Sequence, residues 1–351
     1  MNPLRTSSRS FEEGGLRDLL GRPLCDLRIS VIDRCNFRCT YCMPEEEYKK
    51  HYTFVKKEDW LRHEEIVRLA GIFMTLGVCK IRLTGGEPLL RPHLPVLIKN
   101  LKSLGGINDI AMTTNGSLLA EYAKALKESG LNRITISLDT LDAKLFRQMN
   151  GGKGRLRQVL EGIRTTEEAG FDCIKINVVV QRGINDQHIL DMVEYFKGRK
   201  AILRFIEYMD AGNCNRWDPQ RVLPSSEVVK IINERFPIVP AKPHYYGEVA
   251  SRYIFRDGTG EVGFIPSVTQ PFCRTCTRAR LSTDGKMYMC LFAGDGLDLK
   301  RPLREGATDE ELLRIVGMRW KNRMDRYSEL RSLTDSPQGA APKVEMFQIG
   351  G

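Results

Sequence analysis

The sequence predicts an α/β fold built on six parallel strands. Three observations carry that expectation. Apolar, β-branched runs alternate with amphipathic stretches from about residue 27 to 208. Five helix-like segments separate six strand-like ones, the spacing of βα units. Small and polar residues gather at one set of strand ends, where parallel α/β sheets bind their ligands.

The expected strands run over 27–32, 79–83, 110–113, 133–138, 174–180 and 202–207, with helices over 59–75, 94–103, 117–129, 155–169 and 187–197. Periodicity leaves an open sheet and a partial barrel equally allowed. Beyond the strands come Cys35, then Gly85-Gly86-Glu87-Pro88, Thr113 to Gly116, Ser137 to Asp139, and Met209. Three prolines between 237 and 243 break any helix and mark a change of composition. Short β-like runs follow at 252–256, 261–265 and 279–283, then a helical pattern over 307–322. The expected organisation is an extension over 1–26, a main βα domain over 27–236, and a smaller α+β region over 237–351 ending in Gly350-Gly351.

Hydrophobic content of 42% and charged content of 28% fit a globular domain. No run approaches the length of a membrane span and the start lacks an apolar signal-like stretch, so no membrane partner and a cytoplasmic location are expected. The net charge of +10 calls for an anionic partner. No tract of five basic residues occurs, and the arginines are scattered one per motif. That pattern suits a polyphosphate held by individually placed guanidinium groups at least as well as nucleic acid, and no nucleic-acid partner is expected. Arg278 and Arg280 alternate on a strand-like run and so share a face. Ten cysteines suggest metal or redox chemistry rather than a disulfide framework.

Six of those cysteines form two trios. Cys35, Cys39 and Cys42 are spaced C-x3-C-x2-C; Cys273, Cys276 and Cys290 are spaced C-x2-C-x13-C. A four-iron cluster takes four ligands, so three thiolates leave one iron open to a non-protein ligand. Structural zinc sites are usually closed by four ligands. The five histidines (51, 63, 93, 188, 244) all stand more than three residues from any cysteine. Cys79 and Cys173, in apolar runs, read as small buried hydrophobes.

The first run, with Tyr41 before its last cysteine, resembles the radical S-adenosylmethionine superfamily, and Gly85-Gly86-Glu87-Pro88 resembles its GGE motif. The resemblance implies a partial (β/α)6 barrel and a [4Fe–4S] cluster whose open iron is chelated by S-adenosylmethionine. Phe272-Cys-Arg-Thr-Cys-Thr-Arg-Ala-Arg-Leu281, with Asp284-Gly-Lys286 and Cys290-Leu-Phe292, is similar to the molybdenum cofactor biosynthesis protein A family. That similarity implies a lyase catalysing GTP 3′,8-cyclisation with two [4Fe–4S] clusters. Cys35, Cys39 and Cys42 would hold the first cluster, and Cys273, Cys276 and Cys290 the second, whose open iron contacts guanine. Tyr41, Gly86, Ser137 and Met209 match positions lining S-adenosylmethionine. Arg28, Arg82, Thr113, Lys175, Arg278 and Arg280 match nucleotide contacts, and Arg278, Arg280, Gly350 and Gly351 match catalytic positions, the glycines as a tail entering the active site.

The resemblance further implies a downstream cyclic pyranopterin monophosphate synthase and an electron donor such as a flavodoxin or ferredoxin; it leaves a homodimer open. Cys25, Thr277 and Asp210 depart from its usual residues without removing a ligand. Two alternatives stand beside it: a radical S-adenosylmethionine enzyme that modifies a peptide, and a zinc-binding nucleic-acid module.

Overall fold

The computed structural model describes residues 15–331 and 343–350. Six parallel strands follow the expected order: β1 (Asp26–Ser30), β2 (Lys80–Thr84), β3 (Asp109–Thr114), β4 (Arg133–Ser137), β5 (Ile174–Val180) and β6 (Ala201–Glu207). They are neighbours in sequence order, joined by parallel ladders throughout. The helices are α1 (Glu45–His51), α2 (His63–Thr75), α3 (Leu94–Ser103), α4 (Leu119–Glu128), α5 (Ala143–Met149), α6 (Leu156–Glu168), α7 (Ile189–Phe196), α8 (Ser225–Arg235), α9 (Lys300–Arg304), α10 (Asp309–Lys321), α11 (Tyr327–Leu330) and α12 (Met346–Ile349).

The expected helix over 59–75 begins four residues late. Trp60 is extended, Leu61 donates its N–H to the Thr283 carbonyl, and Arg62 starts the helix through a capping box with Glu65. The short helices α1 and α5 carry too few turns to show a period, and α8 fell outside the alternating region.

The later strands do not form a separate sheet. β7 (Ile238–Ala241), β8 (Ser251–Phe255) and β9 (Glu261–Ile265) extend it beyond β6, while β10 (Arg278–Leu281), β11 (Lys286–Tyr288) and β12 (Leu297–Asp298) extend it beyond β1. β9 runs parallel to β6 and β10 parallel to β1. The proline-rich segment supplies β7, an edge strand, where Pro240 withholds no interior ladder bond.

Register gives the sheet two unlike faces. Ile29, Leu83, Met112, Ile134 and Ile174 align across five strands, and all are buried under the helices. One residue along, Arg280, Arg28, Arg82, Ala111 and Arg133 align on the opposite face. A second row there holds Thr113, Thr135 and Lys175, and a third holds Ser137, Asn177 and Arg204. The helices that connect β1 to β6 pack on the apolar face. The other lines a cavity.

Candidate active site

The first cysteine loop leaves β1 and returns beneath the Gly85-Gly86 turn. A Cβ on Gly85, whose φ is +140°, would lie 2.0 Å from the Ile32 carbonyl oxygen, and one on Gly86 would lie 2.2 Å from that of Arg34. Only glycine lets the two loops approach this closely. The Glu87 carboxylate turns inward, accepting bonds from the Thr114 hydroxyl (2.7 Å) and the Asn115 N–H (2.7 Å). Burial lifts its pKa to about 7. Of the GGE motif, the glycine backbone is therefore what meets the cysteine loop. Tyr41 donates to Asp139 at 2.7 Å.

The three thiols have few hydrogen-bonding partners. Cys35 accepts from the Phe37 N–H at 3.3 Å and lies 3.8 Å from the Asn115 amide. Burial, then Glu87, pushes the Cys35 thiol up to about 11; burial followed by the neighbouring Cys35 and Cys42 pushes Cys39 up. Three buried sulfurs that disfavour each other's charge suit a shared cationic centre, which draws off their protons. Among the described residues no three Cys, His, Asp or Glu side chains close on a single ion. A cubane differs in that each thiolate takes a separate iron.

The second trio begins in a short turn, Cys273–Thr275, and is braced by arginines. Arg22, fully buried, donates to the carbonyls of Cys273 (2.9 Å) and Asp325 (2.8 Å). Arg323 donates to the Cys276 carbonyl at 2.8 Å and to its sulfur at 3.4 Å. Burial works to raise the Cys276 thiol, but Arg278 and Arg323 outweigh it and bring it down to about 6. Cys290 is raised, chiefly by burial. A thiolate stabilised at neutral pH is the form an iron site takes.

Cys273, Cys276 and Cys290 line the same cavity as Arg28, Arg82, Thr113, Met209, Arg278 and Arg280. Arg82 donates to the hydroxyls of Thr113 (3.0 Å) and Thr135 (3.1 Å). Lys175 stands in the adjoining row on the same face and is buried. Burial and then the repulsion of neighbouring cations depress every one of the basic groups Arg28, Arg82, Lys175 and Arg280. Arg82 falls to about 10, Arg280 to about 9 and Lys175 to about 7; for Lys175 the repelling neighbours are Arg204 and Arg133. Like charges kept together out of water are unfavourable unless an anion joins them.

Cys35, Cys39, Cys42, Tyr41, Gly86 and Ser137 are not among the residues lining that cavity. The C-terminal tail bridges the two regions. Phe347 packs with Met43 and Cys214 beside Cys35 and Cys42. Two residues on, the Ile349 carbonyl accepts from Arg280 at 3.2 Å, and the Gly350 carbonyl accepts from the same nitrogen. Gly351 lies outside the described residues.

Sequence reasoning passed over several cavity residues. Arg204, Lys80 and Asn177 line it, as does Tyr245, whose ring lies 3.2 Å from the Lys80 ammonium. Arg204 had a local signal, a charge inside an apolar strand. Tyr245 had none, since its loop comes from the other end of the sheet.

Comparison with known proteins accords with this geometry. A family model described as the radical SAM superfamily matches residues 29–196, and one described as Molybdenum Cofactor Synthesis C matches 201–329. A protein of Xanthomonas campestris pv. campestris (strain B100) named GTP 3′,8-cyclase is 51% identical over 336 residues, covering 96% of this chain and 97% of the relative. Acidothermus cellulolyticus has one at 47% identity, covering 96% and 99%. Among solved structures, Streptococcus suis SuiB bound to S-adenosylmethionine superposes with a TM-score of 0.56 at 17% identity, over 77% of this chain and 60% of SuiB. Native anSMEcpe with bound AdoMet and the Cp18Cys peptide gives 0.53 at 16%, over 93% and 94%. At such identities the structures speak to the fold, a radical SAM partial barrel. With half its residues identical to a GTP 3′,8-cyclase over nearly the whole of both chains, this chain belongs to the GTP 3′,8-cyclase family of the radical SAM superfamily.

Proposed function

We propose that this chain is a GTP 3′,8-cyclase converting GTP to (8S)-3′,8-cyclo-7,8-dihydro-GTP, the first step of molybdenum cofactor synthesis. The observation that carries this reading is the anion-seeking row of Arg280, Arg28 and Arg82 beside three cysteines, on a face joined by the buried Lys175. A peptide substrate gives no reason for that cation field. A triphosphate does.

The enzyme works with S-adenosylmethionine and two [4Fe–4S] clusters. Cys35, Cys39 and Cys42 would hold one cluster, with Tyr41, Gly86, Ser137 and Met209 around S-adenosylmethionine; Cys273, Cys276 and Cys290 would hold the other. When bound, the first cluster and S-adenosylmethionine supply one-electron reductive cleavage and hydrogen-atom abstraction. The chain itself binds and orients. Arg28, Arg82, Lys175, Arg278 and Arg280 neutralise the phosphates, and Thr113 helps position Arg82. Ile349 and Gly350 cover the ground between the two cysteine trios and exclude water there. The electron donor is an acidic carrier such as a flavodoxin or ferredoxin, and a cyclic pyranopterin monophosphate synthase takes the product. A cytoplasmic location is supported by the need to keep six ligand thiols reduced; among the described residues no helix is long and apolar enough to cross a membrane.

The deciding assay is cleavage of S-adenosylmethionine by the reduced, reconstituted enzyme. Cleavage that depends on GTP is expected; cleavage indifferent to GTP would overturn the reading. Iron counting tests the ligand sets. The intact chain should carry about eight irons, and Cys276→Ala about four with the first cluster spectroscopically unchanged.

Lys175 gives a pH signature. Its pKa near 7 in the free protein must rise when phosphate arrives, so binding takes up a proton above pH 7. Affinity is then greatest below pH 7 and falls between pH 7 and the raised bound-state value. Titration calorimetry at pH 8 in buffers of different ionisation enthalpy should show uptake approaching about one proton per GTP, lost in Lys175→Met.

A further inference from the structure

Asp210 follows Met209 directly and gathers three side chains that come from elsewhere in the chain. Its carboxylate accepts from the Tyr327 hydroxyl at 2.6 Å and from the Lys343 ammonium at 2.8 Å, and pairs with Arg331 at 2.7 Å. The Lys343 ammonium also reaches the Asp210 carbonyl, at 2.9 Å. Tyr327 stacks on Phe292, two residues past Cys290, with ring centroids 4.5 Å apart. The Val344 N–H donates to the carbonyl of Ala293 in that same loop at 3.0 Å.

A second grip lies three and four residues after Asp210, at Asn213 and Cys214. The buried Glu345 carboxylate accepts from the Asn213 N–H and the Asn213 side-chain amide, both at 2.9 Å, and from the Cys214 N–H at 3.5 Å. Gly212, at φ +79°, makes room for it: a Cβ there would stand 2.3 Å from a Glu345 carboxylate oxygen. Both grips seize the tail upstream of Phe347 and Gly350. Between them they leave the last residues few positions to occupy.

We propose that Asp210 and Glu345 are positioning residues, forming a two-point clasp by which the loop after β6 seats the C-terminal tail between the two cysteine trios. The clasp binds three things at once: the Met209 loop, the loop after Cys290, and the tail. Displacement of any one loosens the tail, so its seating reports whether both ends of the site are assembled. A carboxylate is required at each point, because Asp210 and Glu345 are buried and their partners are ammonium, guanidinium, hydroxyl and amide donors. The inference rests on the reading of the terminal residues as part of the active site, and the two are separable by experiment.

Hydrogen–deuterium exchange on the full-length holoenzyme tests the clasp without reference to turnover. In Lys343→Met and Glu345→Gln, exchange over 343–350 should rise about tenfold or more while β1 and β2 stay protected. Lys343→Arg, which preserves the pairing, should exchange as the parent does. Turnover in the two disrupting variants should fall at least about tenfold in kcat, with KM for GTP little changed because the cation row is untouched. Both altered residues lie in the tail, so folding of the barrel is not at stake, and Asp210→Asn checks the other half of the pair. Unchanged exchange in all three variants overturns the clasp. Raised exchange with undiminished turnover upholds it, and removes the tail from catalysis instead.

Discussion

Replacing Gly350 by alanine is expected to lower turnover at least about a hundredfold with both clusters intact, because a misplacement of about 1 Å at a reacting site costs that much. The residue sits at φ +73°, a conformation that side chains rarely adopt, and a Cβ there would lie 2.0 Å from the Thr84 methyl and 2.8 Å from its hydroxyl. Thr84 ends β2 and is buried, so it cannot yield without moving the strand that carries Arg82. The tail must withdraw instead, breaking the bonds of the Ile349 and Gly350 carbonyls to Arg280. Iron content and thermal stability should remain near those of the parent, since the clasp at Asp210 and Glu345 lies upstream. Comparing GTP-dependent cleavage of S-adenosylmethionine with cluster absorbance in the purified variant measures both. Full activity in Gly350→Ala would mean that the terminal residues do not occupy this position during catalysis.

Arg82→Met is expected to move stability and function in opposite directions. Arg82 stands at the centre of the five-residue row from Arg280 to Arg133 and is held by two threonine hydroxyls. Burial, then the charges of Arg133 and Arg204, depresses its pKa to about 10. A depressed cation opposes folding wherever it is charged, so the penalty is fully present below pH 10 and is relieved only as the pH rises beyond it. An apolar side chain of similar length removes that repulsion, and the nucleotide-free protein should melt a few degrees higher. Loss of one buried charge-assisted phosphate contact should cost about 3 kcal/mol, a fall in kcat/KM on the order of a hundredfold. The rise in melting temperature that GTP produces should shrink with it. Thermal melts with and without GTP, set beside steady-state kinetics, decide the matter; a variant that melts lower and binds GTP as tightly as before would refute it.

The legibility of this protein follows distance along the chain. Strand positions came out within about two residues, because alternation of apolar and polar residues is written locally. The face shared by Arg278 and Arg280 was legible for the same reason, as was the grouping of Cys35, Cys39 and Cys42 on one loop. Arg28 and Arg82 entered through a motif match, and what makes them a binding surface is the register of β10 against β1 and of β1 against β2. No local pattern encodes that register. Asp210 stood out only as a departure from the family's usual residue and Glu345 gave no local sign, since each finds its donors more than a hundred residues away. The proline-rich stretch was read as breaking any helix, and α8 does end before it, but its place as an edge strand was not legible; whether a proline is tolerated in a strand depends on which neighbours the sheet already has.

By itself, then, the sequence determined the α/β class, the two incomplete thiolate sets and the demand for an anion, all properties of side-chain type and short-range spacing. Tertiary structure alone decided that β9 and β10 close on opposite edges of one sheet, that three arginines stand abreast, and that the tail runs from the first cysteine trio to Arg280. The reason is physical. Thiolate spacing and strand parity are fixed within a few residues by backbone geometry, whereas a field of buried cations exists only once distant strands have been brought side by side and water has been shut out between them.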